Sequence, residues 1–185
     1  YCAKWETPPH QVVLPAFSIM RTEVTIAQYD RFVRATGARR PDDHRTAAAG
    51  TTRQDQSGVN IPAAEARRGP SEPVARVSWN EARAFCEWLG RGTAFTTRLP
   101  TEAEWEKAAR GTDGRVYPWG NSFDGRRLNF ADASSDQPWR DASVNDRFGD
   151  TAPVGRFAQG TSPYGAVDMA GNVTEWVSSL LRSYP

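Results

Sequence analysis

The stretch Val77-Ser-Trp-Asn-Glu-Ala-Arg-Ala-Phe-Cys-Glu-Trp88 predicts a helix with a sharp start and one buried face. Ser78 can accept a hydrogen bond from the amide three residues on, and Glu81 can accept one in return, which is a capping box. The apolar positions that follow at helical spacing are Ala82, Phe85, Cys86 and Leu89. Gly90 comes next, so we predict a helix over Trp79–Leu89 that Gly90 terminates.

The same capping pattern occurs on both sides of this helix. Thr25 precedes Gln28, and Thr101 precedes Glu104, each at the capping-box spacing. The two further helices that we predict are Ile26–Thr36, ended by Gly37, and Glu102–Arg110, ended by Gly111. The buried face predicted for the first of these helices consists of Ile26, Tyr29 and Val33.

Extended segments and long loops are expected between the helices. Residues 11–24 alternate enough to indicate extended structure, and residues 73–77 indicate a short strand. Residues 39–72 are rich in Ala, Arg, Gly, Asp and Thr without a sustained period, so we expect a surface loop insertion there. Residues 117–163 read almost entirely as loop, which ordered turns or bound ions must hold in place because little apolar surface is available.

Composition favours a single domain and excludes several functions. The 185 residues carry a formal net charge of +1, which gives no field for nucleic acid or an anionic membrane surface. No apolar run is long enough for a membrane span. Cys2 and Cys86 are the two cysteines and His10 and His44 the two histidines, which is too few for a zinc site. The seven Trp and eight Phe indicate an aromatic core.

Four ordered segments resemble the formylglycine-generating enzyme (sulfatase-modifying factor) family. They are Val77–Trp88, Arg98-Leu-Pro-Thr-Glu-Ala-Glu-Trp-Glu106, Tyr117-Pro-Trp-Gly-Asn121 and Tyr164-Gly-Ala-Val-Asp-Met-Ala-Gly-Asn-Val-Thr-Glu-Trp176. The stretch from Pro9 to Gly37 also matches. The resemblance covers nearly the whole chain except residues 39–72. It implies one α+β, loop-rich domain over residues 1–185, related to the C-type lectin fold, with small antiparallel sheets.

The sequence departs from the family pattern at both ends. The usual first strand, Gly-Gly-x-Phe-x-Met-Gly, is not found, nor is the C-terminal closing segment that contains Arg-Gly-Gly-Ser-Trp. The enzymes of the family carry their copper-binding cysteine pair in that closing segment, and neither Cys2 nor Cys86 matches those positions. Since thiolates are what hold Cu(I), no catalytic residue can be assigned, and copper is expected only if a further segment supplies the pair.

Residues 168–175 have the composition of a calcium loop. Calcium takes several carboxylate and carbonyl oxygens around a tight turn, and here Gly171 allows the turn between Asp168 and Glu175. The alternative is that Glu175 only caps neighbouring amides. The resemblance completes this site with the Gly171 and Val173 carbonyls. It also implies a second calcium site, made of the Asn129 and Asp146 side chains and the Phe130 and Phe148 carbonyls, for which spacing alone is a weak signal.

Three functions are compatible with these observations. The first, which we favour, is a calcium-stabilised, non-catalytic module that serves as a binding domain or as a subunit of a larger assembly with a protein partner. The second is a copper-dependent oxidase that generates formylglycine on sulfatases. The third is an iron-dependent sulfoxide synthase, which needs a partner domain with a histidine triad. Calcium sites and a loop-rich composition favour an extracytoplasmic (periplasmic or secreted) location.

Overall fold

The computed structural model describes residues 10–41, 53–54, 60–61 and 68–181. Its elements in chain order are α1 (Ile26–Thr36), β1 (Arg53–Gln54), β2 (Asn60–Ile61), α2 (Trp79–Arg91), α3 (Glu102–Arg110) and a short 3-10 helix (Ala158–Gly160). β1 and β2 pair antiparallel, with Arg53 opposite Ile61. The described chain is otherwise loop and turn, so the fold is loop-rich as expected. Among these residues, no helix is long and apolar enough to cross a membrane.

All three predicted capping boxes are formed, and they set the helix starts. Each N-cap side chain accepts the amide of the third helical residue, and that residue's side chain accepts the N-cap amide. α1 and α3 have the predicted bounds. The prediction that Gly90 terminates α2 was wrong, because the helix runs through Arg91 and is capped at Gly92. Gly90 serves a close contact instead, since a Cβ there would lie 2.8 Å from Thr97 Oγ1.

The two segments predicted as extended, 11–24 and 73–77, form no strand in the described part of the chain. They meet only at an isolated antiparallel bridge between Thr25 and Pro73. Val74 N donates to Val24 O at 2.8 Å beside that bridge. Arg76 has a φ of 56°, which is left-handed and ends any extended run. The strand prediction therefore failed because a strand needs a second segment that pairs with it over several residues. Alternation of apolar and polar residues predicts an extended backbone but not such a pairing segment.

One core cluster is aromatic and joins α1 to α2. Tyr29, Phe32 and Phe85 are each at most 4% exposed. The ring centroids of Tyr29 and Phe32 lie 5.2 Å apart, and those of Phe32 and Phe85 lie 5.8 Å apart in an edge-to-face arrangement. Phe32, rather than the predicted Val33, completes the buried face of α1, while Val33 is half-buried at the cluster's margin.

A second cluster fixes the chain around residue 170 against α3. Ala108 and Ala109 pack against Ala166 and Met169. Two reciprocal indole bonds then hold the following residues at the start of α2. Trp79 Nε1 donates to Val177 O at 2.9 Å, and Trp176 Nε1 donates to Val77 O at the same distance. Both ends of the predicted calcium loop are thus attached to helices.

Residues 117–163 are loop, as predicted, apart from the 3-10 helix. These residues are ordered by short turns. In each turn an aspartate carboxylate accepts a hydrogen bond from the backbone amide two residues later. The aspartates that do so are Asp124, Asp132, Asp141 and Asp146. Most of the surface loop predicted at 39–72 lies outside the described residues. Its end is tied to α1, where Ala27 N donates to Pro70 O at 3.0 Å.

Candidate metal centre

The backbone of the 168–175 loop turns tightly at Gly171, as its sequence predicted, and it is left-handed at three residues. Asp168, Gly171 and Asn172 have φ values of 59°, 85° and 60°. Gly171 is required for a second reason, since a Cβ at this position would lie 2.1 Å from the backbone oxygen of Asn129. Asn172 N donates to that same oxygen at 2.9 Å. The loop therefore lies directly against the chain at residue 129.

The two predicted carboxylates of this loop are held by donors from elsewhere in the fold. Asp168 is 7% exposed, and its Oδ2 accepts the Gly155 amide. Glu175 Oε2 accepts the Trp105 indole N–H at 3.0 Å. No backbone amide of the described residues donates to Glu175, which argues against a simple capping role. Burial raises the pKa of both carboxyls, and the charge of Asp168 adds to the rise at Glu175.

A third carboxylate, Glu23, adjoins this pair and was not predicted as a site residue. It is 7% exposed. Its Oε2 accepts Asn172 Nδ2 at 2.7 Å, and its Oε1 accepts Val173 N at 3.3 Å. Burial first, then the charge of Asp168 and then that of Glu175, raise the pKa of Glu23 to about 8. These three carboxylates form an acidic centre that favours a compensating cation.

The second predicted site contains a buried carboxylate oxygen without a hydrogen bond. Asp146 Oδ1 accepts the Phe148 amide at 2.7 Å, whereas Oδ2 is buried and has no hydrogen-bond donor among the described residues. Burial raises the pKa of Asp146, and the neighbouring charge of Asp132 acts in the same direction, although the Phe130 amide lies near enough to lower it slightly. A buried, unpaired carboxylate oxygen is costly unless a cation or donor meets it.

Asn129 joins the two predicted sites. It is 3% exposed, and its Nδ2 donates to Asp150 O at 2.8 Å and to Asn172 Oδ1 at 3.0 Å. Because both amide protons are committed, its Oδ1 remains an acceptor that can face a cation. The structure thus brings Asn129, a predicted ligand of the second site, next to the 168–175 loop, a proximity that the sequence did not indicate.

The predicted carbonyl ligands are also unpaired. None of these oxygens accepts a hydrogen bond within the described ranges; the residues are Phe130, Phe148, Gly171 and Val173. Across residues 10–41 and 68–181, no three His, Cys, Asp or Glu side chains converge closely enough to hold a metal by themselves. An ion here would depend on backbone carbonyls as well as carboxylates, which is the donor set of calcium rather than zinc or copper. The residues present fit calcium.

Cys86 has the environment of a structural thiol. It lies half-buried on α2 and is a free cysteine. Burial raises its pKa, and the adjacent charge of Glu87 adds to the rise. Both effects disfavour the thiolate that binds metals or acts as a nucleophile. Cys2 lies outside the described residues.

A cavity of about 660 Å³ lies between the N-terminal segment and α2. Apolar side chains that line it include Phe17, Ile19 and Phe85, and carboxylates that line it include Glu23 and Glu175. Phe95, which is 77% exposed, and Trp176, which is 49% exposed, also line it. Two of the three carboxylates of the acidic centre, Glu23 and Glu175, therefore line a largely apolar cavity.

Known proteins resemble this chain over 60 to 92% of its length. The bovine protein named inactive C-alpha-formylglycine-generating enzyme 2 is 45% identical over 112 residues, which cover 60% of this chain and 34% of that protein. The formylglycine-generating enzyme of Thermomonospora curvata is 37% identical over 199 residues, covering 92% of this chain and 62% of that enzyme. The solved structure of PvdO from Pseudomonas aeruginosa superposes with a TM-score of 0.64 at 27% identity, over 89% of this chain and 57% of that one.

The chain matches only part of the length of each curated relative. The chain spans between 34 and 62% of the length of these curated relatives, so their complete activities are not carried over with the fold. A family profile described as sulfatase-modifying factor enzyme 1-like domain matches residues 3–185. This match shows that the chain belongs to the sulfatase-modifying factor enzyme 1-like domain family.

Proposed function

We propose that this chain is a calcium-stabilised, non-catalytic module of its family that acts as a binding domain or as a subunit of a larger assembly. The observation that carries the calcium part is the buried Oδ2 of Asp146, which has no hydrogen-bond donor among the described residues. The raised pKa values of Asp168 and Glu175 support a second ion, because each reflects the burial of a carboxylate that a bound cation would stabilise in its ionised form.

In this proposal the ligands are those implied by the family resemblance. One ion takes oxygens from Asp168, Glu175 and the carbonyls of Gly171 and Val173. The other takes oxygens from Asn129, Asp146 and the carbonyls of Phe130 and Phe148. Each ion would lower the repulsion between buried carboxylates and would satisfy carbonyls in loops that have little apolar surface to order them. The chain's own residues position these oxygens through turns and side-chain bonds.

Thermal unfolding with calcium and with a chelator tests the proposal. At a hundredfold excess over its dissociation constant, one ion adds about 2.7 kcal/mol to the free energy of unfolding. For a domain of this size that corresponds to a rise of about 5–11 °C in the melting temperature. We expect the Asp168→Ala/Glu175→Ala double variant to lose the contribution of one site. The matched control is Glu102→Ala/Glu106→Ala on α3, which should keep the full response to calcium.

The site with Asp146 is tested by Asp146→Asn, which keeps the shape of the side chain but removes its charge. The matched control is Asp141→Asn, since Asp141 forms the same kind of turn nearby and accepts the Ser143 amide at 2.9 Å. We expect Asp146→Asn to lower calcium stoichiometry by one and Asp141→Asn to leave it unchanged. Melting curves that are identical with calcium and with chelator would exclude both sites.

The cavity supports the binding part of the proposal. Phe95 and Trp176 are exposed apolar side chains that line it, and the net charge of +1 gives no reason to expect a nucleic acid partner. A protein segment with apolar side chains matches this surface best. The hydrophobic dye 8-anilinonaphthalene-1-sulfonate should bind the folded protein here, and Phe95→Ser should weaken that binding without lowering the melting temperature. Unchanged dye binding would argue against an open apolar site. An extracytoplasmic location, where free calcium is plentiful, belongs to the same proposal.

A copper-dependent oxidase that generates formylglycine is the second candidate, favoured by the 37% identity to the Thermomonospora curvata enzyme. Against it, Cys86 has a raised pKa and is the one cysteine in the described part of the chain. We expect the purified 185-residue chain to form no aldehyde on a cysteine-containing sulfatase peptide when Cu(I) and oxygen are supplied. Aldehyde formation, detected by mass spectrometry, would overturn the non-catalytic proposal for this chain.

A further inference from the structure

The side chain of Asn172 has every one of its hydrogen-bonding groups occupied. Its Oδ1 accepts Asn129 Nδ2 at 3.0 Å and Ala152 N at 2.9 Å. Its Nδ2 donates to Glu23 Oε2 at 2.7 Å and to Ala152 O at 3.2 Å. An amide with two acceptor and two donor contacts cannot rotate without breaking several of them. Asn172 is therefore a fixed junction rather than a loop residue that could adapt to a nearby ion.

This junction connects the two proposed ion sites, although Asn172 belongs to neither ligand set. On one side it bonds Asn129, a proposed ligand together with Asp146. On the other side it bonds Glu23, whose second oxygen accepts the amide of Val173, a proposed ligand together with Asp168. The backbone repeats the connection, because Asn172 N donates to Asn129 O at 2.9 Å. We name the chain of side chains Glu23, Asn172 and Asn129 the Asn172 bridge.

Glu23 connects to the ion sites from outside them. Both of its oxygens already accept hydrogen bonds, from Asn172 Nδ2 and Val173 N, so it acts through these donors. It also lies within electrostatic range of Asp168 and Glu175. A cation held by those two carboxylates and by the Val173 carbonyl would fix the backbone at Val173, whose amide donates to Glu23 Oε1. Any shift of Glu23 would pass through Asn172 to Asn129, because the junction has no free rotation.

We propose that the Asn172 bridge couples the two ion sites, so that calcium bound at either site raises the affinity of the other. This inference rests on the proposed calcium binding and adds residues that hold no ion themselves. Coupling between linked sites is reciprocal and commonly amounts to about 5–150-fold in affinity. We expect a factor of about ten, which lies in the lower part of this range. Glu23 and Asn172 are positioning residues. Their substitution should change how much calcium at one site raises the affinity of the other, rather than the affinity of either site alone.

Isothermal titration of chelator-stripped protein with calcium chloride at pH 7 measures this coupling through a cycle of variants. Asp146→Asn removes one site, and we expect the affinity of the remaining site to fall by about tenfold. Asn172→Gly removes the junction while keeping the left-handed backbone that residue 172 requires, at φ 60°. In the Asn172→Gly background, adding Asp146→Asn should leave the affinity of the remaining site unchanged.

Two further variants separate coupling from general damage. Glu23→Gln replaces one of the two oxygens that accept hydrogen bonds from Asn172 and Val173 and should reduce the coupling in the same cycle, which keeps the test available if Asn172→Gly does not fold. Glu81→Gln changes a carboxylate of the α2 capping box, and should leave both affinities and their ratio as in the unmodified chain. Circular dichroism in chelator establishes that each variant is folded before titration.

The outcomes distinguish this inference from the proposed function. If the unmodified chain binds no calcium, the proposed function and the coupling both fail. If it binds two ions and Asp146→Asn leaves the other affinity unchanged, calcium binding stands and the coupling is overturned. Coupling that persists at full strength in both Asn172→Gly and Glu23→Gln would also overturn the assignment to the Asn172 bridge.

Discussion

Replacing Gly171 with alanine should destabilise the protein by two separable effects. The residue has a φ of 85°, and its Cβ would lie 2.1 Å from the Asn129 backbone oxygen. A left-handed conformation costs a residue with a Cβ about 1–2 kcal/mol. A contact this short with a backbone atom forces the chain apart, and overpacking of this kind costs about 1–3 kcal/mol. The sum is about 2–5 kcal/mol, or a fall of about 4–20 °C in melting temperature.

Two other glycines isolate the two effects. Gly165 has a φ of 87° with nothing within 4 Å of a Cβ, so Gly165→Ala should show the conformational cost alone. Gly160 is not left-handed, but its Cβ would lie 2.1 Å from Arg127 O, so Gly160→Ala should show the steric cost alone. Urea unfolding in chelator measures all three variants without a contribution from calcium. If Gly171→Ala is no more destabilising than Gly165→Ala, the close approach of the 168–175 loop to Asn129 is wrong.

Two further predictions concern titratable side chains outside the acidic centre. Glu104 is 4% exposed and bonds Arg98 twice at 2.7 Å, which is the main reason that its pKa is lowered to about 2. The ionised Glu104 therefore stabilises the fold above the pKa of an unfolded glutamate, and this stabilisation is lost as pH falls through about 2. Glu104→Gln should lower the free energy of unfolding by about 1–3 kcal/mol at pH 7. In urea unfolding, the variant should also lose less stability than the unmodified chain between pH 5 and 2. The raised pKa of Cys86 predicts that its thiol, in a Cys2→Ser background, reacts with a disulfide reagent at pH 7.5 several-fold more slowly than glutathione does. Glu87→Gln should speed this reaction. A rate equal to that of glutathione would contradict the assignment of Cys86 as a buried thiol.

Helix positions could be predicted from the sequence because each helix start depends on residues three apart. Thr25 with Gln28 and Thr101 with Glu104 form capping boxes, and both helices have the predicted bounds. The end of α2 was less predictable. Gly90 resembles a stop signal, but its lack of a side chain serves contact with Thr97, which comes from a later part of the chain. Local patterns do not contain that information.

The candidate site was predictable only in part for the same reason. The residues at 168–175 are close in sequence, and a tight turn with flanking carboxylates indicates calcium chemistry. Glu23 is 149 residues from Asn172 in the chain, so no motif could have paired them. The absence of a donor to Asp146 Oδ2 among the described residues likewise depends on tertiary packing, which no local motif contains. Sequence identifies oxygens of suitable type, whereas burial and pairing decide which of them need a cation.

The acidic centre makes one consequence of the calcium proposal especially clear, because two explanations predict opposite signs. Asp168→Asn and Glu175→Gln retain acceptors for the Gly155 amide and the Trp105 indole N–H, so they change charge more than hydrogen bonding. The raised pKa values mean that the ionised forms are unfavourable in the metal-free fold, so both substitutions should preserve or raise the melting temperature in chelator. With calcium present, the same substitutions remove ligands and should lower it. If these carboxylates were only hydrogen-bond acceptors, the substitutions would have the same effect under both conditions, so a reversal of sign between chelator and calcium identifies them as ligands.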